Sequence, residues 1–209
     1  MAWDEALLEE APRLGDPVLR LYSWTEPAAS FGYFQKFAEV ERMTMLRPLV
    51  RRPTGGGLVP HAADWTYSLA FPPMHVWYGL KAVESYRRLH EWIQAAFQQA
   101  GLGTHLSPGS TKESPGQCFI GAEQFDVIWQ DRKIAGAAQR RTRHGLLIQG
   151  SIQPPPGLGR ADWEEAFCAI ARQRWGVEWE AFEPNDAIQQ RARRLAEQKY
   201  GTRQHKQRR

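Results

Sequence analysis

Arg51-Arg52-Pro53-Thr54-Gly55-Gly56-Gly57-Leu58-Val59-Pro60-His61 is the stretch on which the reading of this chain turns. Three glycines in a row cost a strand much conformational entropy, so the position needs a reason for them. One reason is a turn with positive φ. The other is a close approach of backbone to a ligand, where any Cβ would collide. Backbone N–H groups in such a loop can converge on an anion, and the two arginines ahead of it suit bidentate contacts to phosphate or carboxylate. For the glycines alone, a solvated turn between two strands is an equal reading. The arginines, His61 and a second segment, Arg132-Lys133-Ile134-Ala135-Gly136-Ala137-Ala138-Gln139-Arg140-Arg141, weigh against that. The second segment sets one lysine inside a small-residue strand pattern.

Outward from these segments, 209 residues with nine Trp and nine Phe can build one large core. No apolar run has the length of a membrane span, and the acidic start Met1-Ala2-Trp3-Asp4-Glu5 has no signal pattern. Two cysteines fifty residues apart do not form a disulfide framework. A reducing cytoplasm is the expected compartment. The net charge of +4 is uneven, since eight Lys/Arg and one Glu lie from Arg191 onward. The body is mildly acidic and the end basic, and residues 202–209 are expected to be a disordered basic tail after a single domain over 1–201. A basic end can steer an acidic protein partner. It does not track through the domain as nucleic-acid binding requires, so neither nucleic acid nor membrane is expected as a partner.

Periodicity places a helix over Ala2 to Ala11, stopped near Pro12, and strands over Val18 to Trp24, Leu49 to Arg52 and Trp65 to Phe71. Ser30 to Gln35 reads as an aromatic turn or short strand, and Phe37 to Met45 as a short helix. Leu80 to Ala100 is the clearest helix, with Val83, Tyr86, Leu89, His90, Ile93, Ala96 and Phe97 on one face and Gly101 as the stop. Leu106 to Gln117 reads as a loop. Phe125 to Trp129 and Lys133 to Ala138 form a hairpin across Gln130-Asp131, Leu146 to Ile152 a further strand, and helices follow at about 161–175 and 186–200. Hairpins with surrounding helices make the fold class α+β.

The two signature segments, in order with Leu19-Arg20-Leu21-Tyr22-Ser23-Trp24, Ser30-Phe31-Gly32-Tyr33-Phe34-Gln35 and Thr66-Tyr67-Ser68, resemble the lipoate/biotin ligase and octanoyltransferase superfamily in its lipoate-octanoate branch. The resemblance covers roughly Met1 to Ile152. It implies a class II aminoacyl-tRNA-synthetase-like and biotin-synthetase-like mixed sheet flanked by helices. It also implies roles. Arg52, Gly55, Gly56 and Gly57 would line an acyl tunnel mouth, and His61 would close that loop. Lys133 would point at the acyl carbonyl, where an ammonium stabilises a developing oxyanion. Gly136 would keep the strand thin beside the tunnel, and Gln139 would cap the site with its amide. No metal ligand is assigned.

The superfamily contains two chemistries. ATP-dependent ligases hold an acyl-adenylate and need ATP and Mg. Cysteine-dependent transferases pass the acyl group through an enzyme thioester and need no nucleotide. Cys118, at the end of a Pro/Gly-rich loop and fifteen residues before Lys133, resembles the nucleophile of the cysteine-dependent octanoyltransferases. A neighbouring cation would keep it as thiolate, with Lys133 and His61 as candidates; either could take the proton of the incoming amine. The alternative for Cys118 is a small apolar plug. Asp126 stands at the Asp of the ligases' Asn-Asp pair, but Phe125 replaces the Asn, and the chain ends about where the catalytic domain ends. Cys168, in the helical run Trp163 to Ile170, reads as core. A Gly-Arg-Gly-Arg-type biotin-ligase segment is replaced here by Arg52 to Gly57. The expectation is therefore an acyltransferase of protein lipoylation. Its octanoyl or lipoyl donor would be acyl carrier protein or an H protein, and its acceptor a lysine of a lipoyl domain or H protein. An ATP-dependent lipoate-protein ligase and a non-catalytic acyl-binding protein on the same fold are the alternatives.

Overall fold

The computed structural model describes residues 1–111, 116 and 118–208. The expected loop over Leu106 to Gln117 lies partly outside these residues. In chain order the elements are α1 (Ala2–Leu14), β1 (Val18–Tyr22), β2 (Ala28–Phe31), α2 (Phe37–Met43), β3 (Leu49–Arg51), β4 (Val59–His61), β5 (Trp65–Phe71), α3 (Val76–Gly79) and α4 (Ala82–Gln99). There follow β6 (His105–Leu106), β7 (Val127–Trp129), β8 (Arg132–Thr142), β9 (Gly145–Ile152), α5 (Arg160–Trp175), α6 (Asp186–Leu195), a π-helical turn over Ala196–Tyr200, and α7 (Arg203–Lys206). The architecture is α+β, as the sequence predicts. The six-stranded sheet, ordered β1-β5-β9-β8-β7-β6, is antiparallel throughout. The mixed pairing sits in a second, three-stranded sheet, where β2 is parallel to β3 and antiparallel to β4.

β5 explains the layering. All seven of its residues are buried, because both faces of the large sheet are covered. Trp65, Tyr67, Leu69 and Phe71 point into the main core with α4 and α5, where Trp92 stacks on Phe167 with ring centroids 3.7 Å apart. Ala70 faces the opposite way, into a smaller cluster with Ala6 and Leu7 of α1 and Ile188, Ala192 and Leu195 of α6. Strand alternation thus sends Thr66 and Ser68 to that second face as well.

Three boundaries differ from the sequence reading. α1 continues past Pro12 to Leu14 and closes on Gly15 at φ 80, whose N–H reaches Ala11 O at 3.1 Å. A proline so near the end removes little of the helical ladder, and buried Ala11 holds the turn in place. β8 runs on to Thr142, because Arg141 turns its guanidinium onto the carbonyls of Tyr78 and Leu80, at 3.4 and 2.9 Å. The expectation of a disordered end from 202 is corrected over the described residues: Thr202 caps α7 through His205 N–H, and Arg51 holds that end of the chain. The Arg51 guanidinium donates to the carbonyls of His205, Lys206 and Arg208 at 3.1, 3.0 and 2.8 Å, and to those of Tyr33 and Gln35 at 2.6 and 2.7 Å. The first signature arginine is therefore a structural clasp, with its donors turned away from any ligand. Among the described residues no helix is long and apolar enough to cross a membrane.

Candidate active site

A cavity opens between the two sheets. The small sheet and the loop after it contribute Ser30, Arg52 and His61; the large sheet contributes Thr66, Gly136 to Ala138 and Gln149 to Ser151; Cys118, Phe119 and Lys133 complete the wall. The structure thus brings both signature segments and the cysteine to one place.

Cys118 is put there by backbone pairing. Its N–H donates to Leu58 O at 3.0 Å, while Leu58 N–H donates to Gly116 O at 2.7 Å. This stapling sets the Cys118 sulfur 3.1 Å from Gly57 N, whose N–H points at it. The three glycines are not equivalent. Gly57 supplies that donor. Gly56, at φ +83, takes a left-handed conformation, and a Cβ there would lie 3.3 Å from Arg52 Nη2 and 3.7 Å from the sulfur. Gly55 has nothing within 4 Å of its Cβ position. It serves through its carbonyl, which accepts from Arg52 Nη2 at 2.9 Å.

The cation beside the sulfur is Arg52. Its side chain is buried, its Nη2 also donates to Gly57 O at 2.7 Å, and the guanidinium lies near enough to the Cys118 sulfur to interact with it electrostatically. Burial pulls the guanidinium below its ordinary value, and the sulfur opposes that pull. His61, the other expected base or cation, has both ring nitrogens engaged: Nδ1 with Asp64 Oδ2 at 2.8 Å and Nε2 with Ser30 Oγ at 2.6 Å. Burial lowers its pKa despite Asp64, so the ring is neutral near pH 7. His61 lines the cavity but has no free nitrogen to serve Cys118.

Lys133 is held from the large sheet. Its Nζ lies 2.7 Å from Asp126 Oδ2 in a buried ion pair and 5.2 Å from the Phe119 ring centroid. Asp126 Oδ1 accepts from Tyr86 OH at 2.5 Å, and Oδ2 from Glu123 N–H at 2.6 Å. Gly136 makes room for this pair, because a Cβ there would lie 2.6 Å from Lys133 Cε. An ammonium has three donors, so one on Asp126 leaves two for a substrate oxygen. Phe125, directly before Asp126, has φ 72, a left-handed conformation in which Asn costs less than Phe.

Gln139 is not part of this site. Its Nε2 donates to Ala82 O at 2.7 Å, and its Oε1 accepts from Ser85 Oγ at 2.8 Å and Arg141 Nη1 at 2.6 Å. Ala138 faces the glycine loop, whereas Gln139, one residue on, meets Ser85 and Ala82 of α4, so alternation turns Gln139 away from the cavity. Cys168 is half-buried on α5, apart from the cavity lining, and burial raises its pKa.

A family model described as the lipoyl protein ligase A/B catalytic domain matches residues 1–153. The chain belongs to that family. Octanoyltransferase LipM of Carboxydothermus hydrogenoformans is 36% identical over 160 residues, covering 73% of this chain and 59% of that protein. The chain therefore spans about three fifths of that relative's length. Among solved structures, a lipoate-protein ligase A bound with ATP superposes with a TM-score of 0.80 at 18% identity, covering 99% of this chain and 92% of that one. A bipartite lipoate protein ligase from Thermoplasma acidophilum, solved in a study of it and its E2 lipoyl domain, gives 0.72 at 18%, covering 99% and 89%. At such identity the likeness is one of fold.

Within this lipoyl ligase catalytic domain, Ser30, Asp64, Thr66, Tyr86 and Ser151 are polar groups of the site that sequence reasoning missed. The three-residue step from His61 to Asp64 was the one available signal. Ser30 and Ser151 carry none, because their partners come from other strands.

Proposed function

We propose that this chain is an acyltransferase of protein lipoylation that works through a thioester on Cys118. The observation that carries the reading is the setting of the sulfur: it sits on the Gly57 N–H, beside the buried Arg52 guanidinium, in the cavity that Lys133 also lines. A buried cation and an N–H donor stabilise the negative charge that a sulfur nucleophile carries when its acyl group leaves. An apolar plug has no use for either.

The thiolate attacks the carbonyl carbon of an octanoyl or lipoyl thioester. The C–S bond to the donor breaks, the donor leaves as thiolate, and the acyl group is joined to Cys118. The neutral amine of the acceptor lysine then attacks the same carbon. The C–S bond to Cys118 breaks, its electron pair returns to sulfur, and the amine proton goes to the released thiolate. In both steps Lys133 stabilises the oxyanion. Amide formation from a thioester runs downhill, so no ATP or Mg is required. The donor is acyl carrier protein or an H protein, and the acceptor a lipoyl domain or H protein, in the cytoplasm.

Intact mass spectrometry of the protein mixed with octanoyl-acyl carrier protein, without ATP, tests the reading. A hydroxylamine-labile octanoyl adduct is expected on wild type and not on Cys118→Ala. No adduct, with lipoyl-domain modification only when free lipoate and ATP are supplied, would make the chain a ligase.

A further inference from the structure

Arg52 is one end of a buried hydrogen-bonded chain that begins at a carboxylate. Asp64 Oδ2 accepts from His61 Nδ1 at 2.8 Å, Thr66 Oγ1 at 2.9 Å and Ser151 Oγ at 2.7 Å. His61 Nε2 meets Ser30 Oγ at 2.6 Å, and Arg52 Nη1 donates to that same Ser30 oxygen at 2.8 Å. Asp64, His61, Ser30 and Arg52 are all buried. Trp24 stacks on the imidazole with centroids 4.2 Å apart and donates its indole N–H to Thr66 at 3.0 Å, so the ring is fixed from its face as well.

The chemistry of the donors assigns every proton. A guanidinium only donates, so the Ser30 oxygen accepts from Arg52. The Asp64 carboxylate only accepts, so the imidazole hydrogen sits on Nδ1; Nε2 of the neutral ring is then bare and takes the Ser30 hydrogen. We infer that Ser30 and His61 are positioning residues for the nucleophile: the Asp64–His61–Ser30 chain holds the Arg52 guanidinium in the orientation that meets the Cys118 sulfur. The inference rests on the reading of Cys118 as the nucleophile.

The chain has a direction. If His61 takes a second proton, Nε2 becomes a donor, Ser30 faces two donors at once, and its own hydrogen loses its partner. A second cation then stands one serine away from Arg52. The charged groups facing the ring are Asp64, which favours that proton, and Arg52 and the amine of Met1, which oppose it. Ser30 comes from β2, Arg52 from the residue after β3 and His61 from β4. The strands of the small sheet thus bring together the three residues that place the guanidinium.

The test reads the thiol directly, with no acyl donor present. Iodoacetamide alkylation of Cys118 is followed across pH by peptide mass spectrometry, which separates it from Cys168, in wild type, Ser30→Ala, Ser30→Thr and His61→Gln. Ser30→Ala is expected to slow alkylation of Cys118 near neutral pH about tenfold. Ser30→Thr, which keeps the hydroxyl, restores it, and His61→Gln, whose amide oxygen can accept from Ser30, restores it in part. A folded Ser30→Ala protein with the wild-type profile would overturn the inference. Should Ser30→Ala not fold, the ¹⁵N shifts of the His61 ring in wild type decide. The neutral Nδ1–H tautomer is expected, and the Nε2–H tautomer, which leaves Ser30 between two donors, overturns it. Failure of the transferase reading shows elsewhere, as absence of the octanoyl adduct on the wild-type protein.

Discussion

Gly32→Ala strikes the proposed nucleophile from behind. The Cβ of an alanine at 32 would lie 1.9 Å from Gly56 O, 2.8 Å from Gly56 C and 3.0 Å from Gly55 C. All three are backbone atoms, so no flexible side chain can yield. Restoring a carbon–oxygen separation of about 3.3 Å requires the two loops to part by roughly 1.4 Å. That movement pulls the Gly55 and Gly57 carbonyls off Arg52 Nη2, now at 2.9 and 2.7 Å, and the Gly57 N–H off the Cys118 sulfur. Charge-assisted bonds of this kind contribute about 1.5–3 kcal/mol each. With partial relaxation the expected loss is about 2–4 kcal/mol, a fall in Tm of about 5–15 °C for a chain of this size. Displacement of the sulfur by about 1 Å slows acylation about a hundredfold. Gly55→Ala is the control: its Cβ meets nothing within 4 Å, and its stability is expected to stay within about 0.5 kcal/mol of wild type. Thermal melts and the rate of acyl-enzyme formation, read by mass, measure both. The reasoning fails if Gly32→Ala melts within about 2 °C of wild type and acylates at its rate, or if Gly55→Ala is equally damaged.

Two further outcomes follow from the surroundings of the site. His90 is buried on α4, its Nδ1 is 2.9 Å from Tyr86 O, its Nε2 has no hydrogen-bond partner among the described residues, and burial lowers its pKa to about 4. The unfolded chain takes that proton at about pH 6.5, so it binds more protons than the folded state between pH 4 and 6.5. Stability therefore rises with pH across that window, and lowering the pH from 7 to 4 removes up to about 3 kcal/mol through this residue. In urea melts at pH 4.5 and 7, His90→Phe is expected to flatten much of that slope, with His61, His75 and His205, whose pKa values burial also lowers, leaving a remainder; an unchanged slope refutes the assignment. Gln139→Ala frees the first turn of α4 and is expected to lower stability by about 1–2 kcal/mol while leaving acyl transfer at the wild-type rate. A tenfold slower transfer at unchanged Tm would place Gln139 back in the site.

The elements and the two signature segments were legible because they depend on local pattern. β5 alternates, α4 shows a helical stripe, and the glycines announce a backbone approach that Gly32 and Gly56 then make, so close that a Cβ on Gly32 would lie 1.9 Å from Gly56 O. What pattern cannot carry is which neighbour a side chain finds. Arg51 and Arg52 are adjacent and chemically identical, yet alternation sends one to the carbonyls of the C-terminal segment and the other to Cys118. The basic end read as a solvated tail because its anchor lies about 150 residues away along the chain, in a residue that itself read as ligand-binding. His61 lines the cavity, but its ring nitrogens go to Ser30 and Asp64, which are ordinary polar residues until the strands are paired.

In the proposed reaction the two reactive groups rest on separate buried networks, and the separation has a chemical use. The small sheet holds Cys118 through Arg52 and the glycine loop; the large sheet holds Lys133 through Asp126 and Tyr86, and Thr54 Oγ1 to Gln149 Oε1, at 2.8 Å, ties one to the other. A lysine that served as the thiolate's own counter-ion would stabilise the ground state, and the attack would then have to work against that contact. With Arg52 and the Gly57 N–H meeting the sulfur and Asp126 orienting the ammonium, Lys133 keeps its remaining donors for an oxygen that becomes negative only as the carbonyl is attacked. Interactions that strengthen on the way to the transition state are the ones that raise a rate. The same division explains why one buried arginine is not enough. The thiolate needs a cation that stays with the sulfur through both half-reactions, and the carbonyl oxygen needs one that is engaged only when charge arrives.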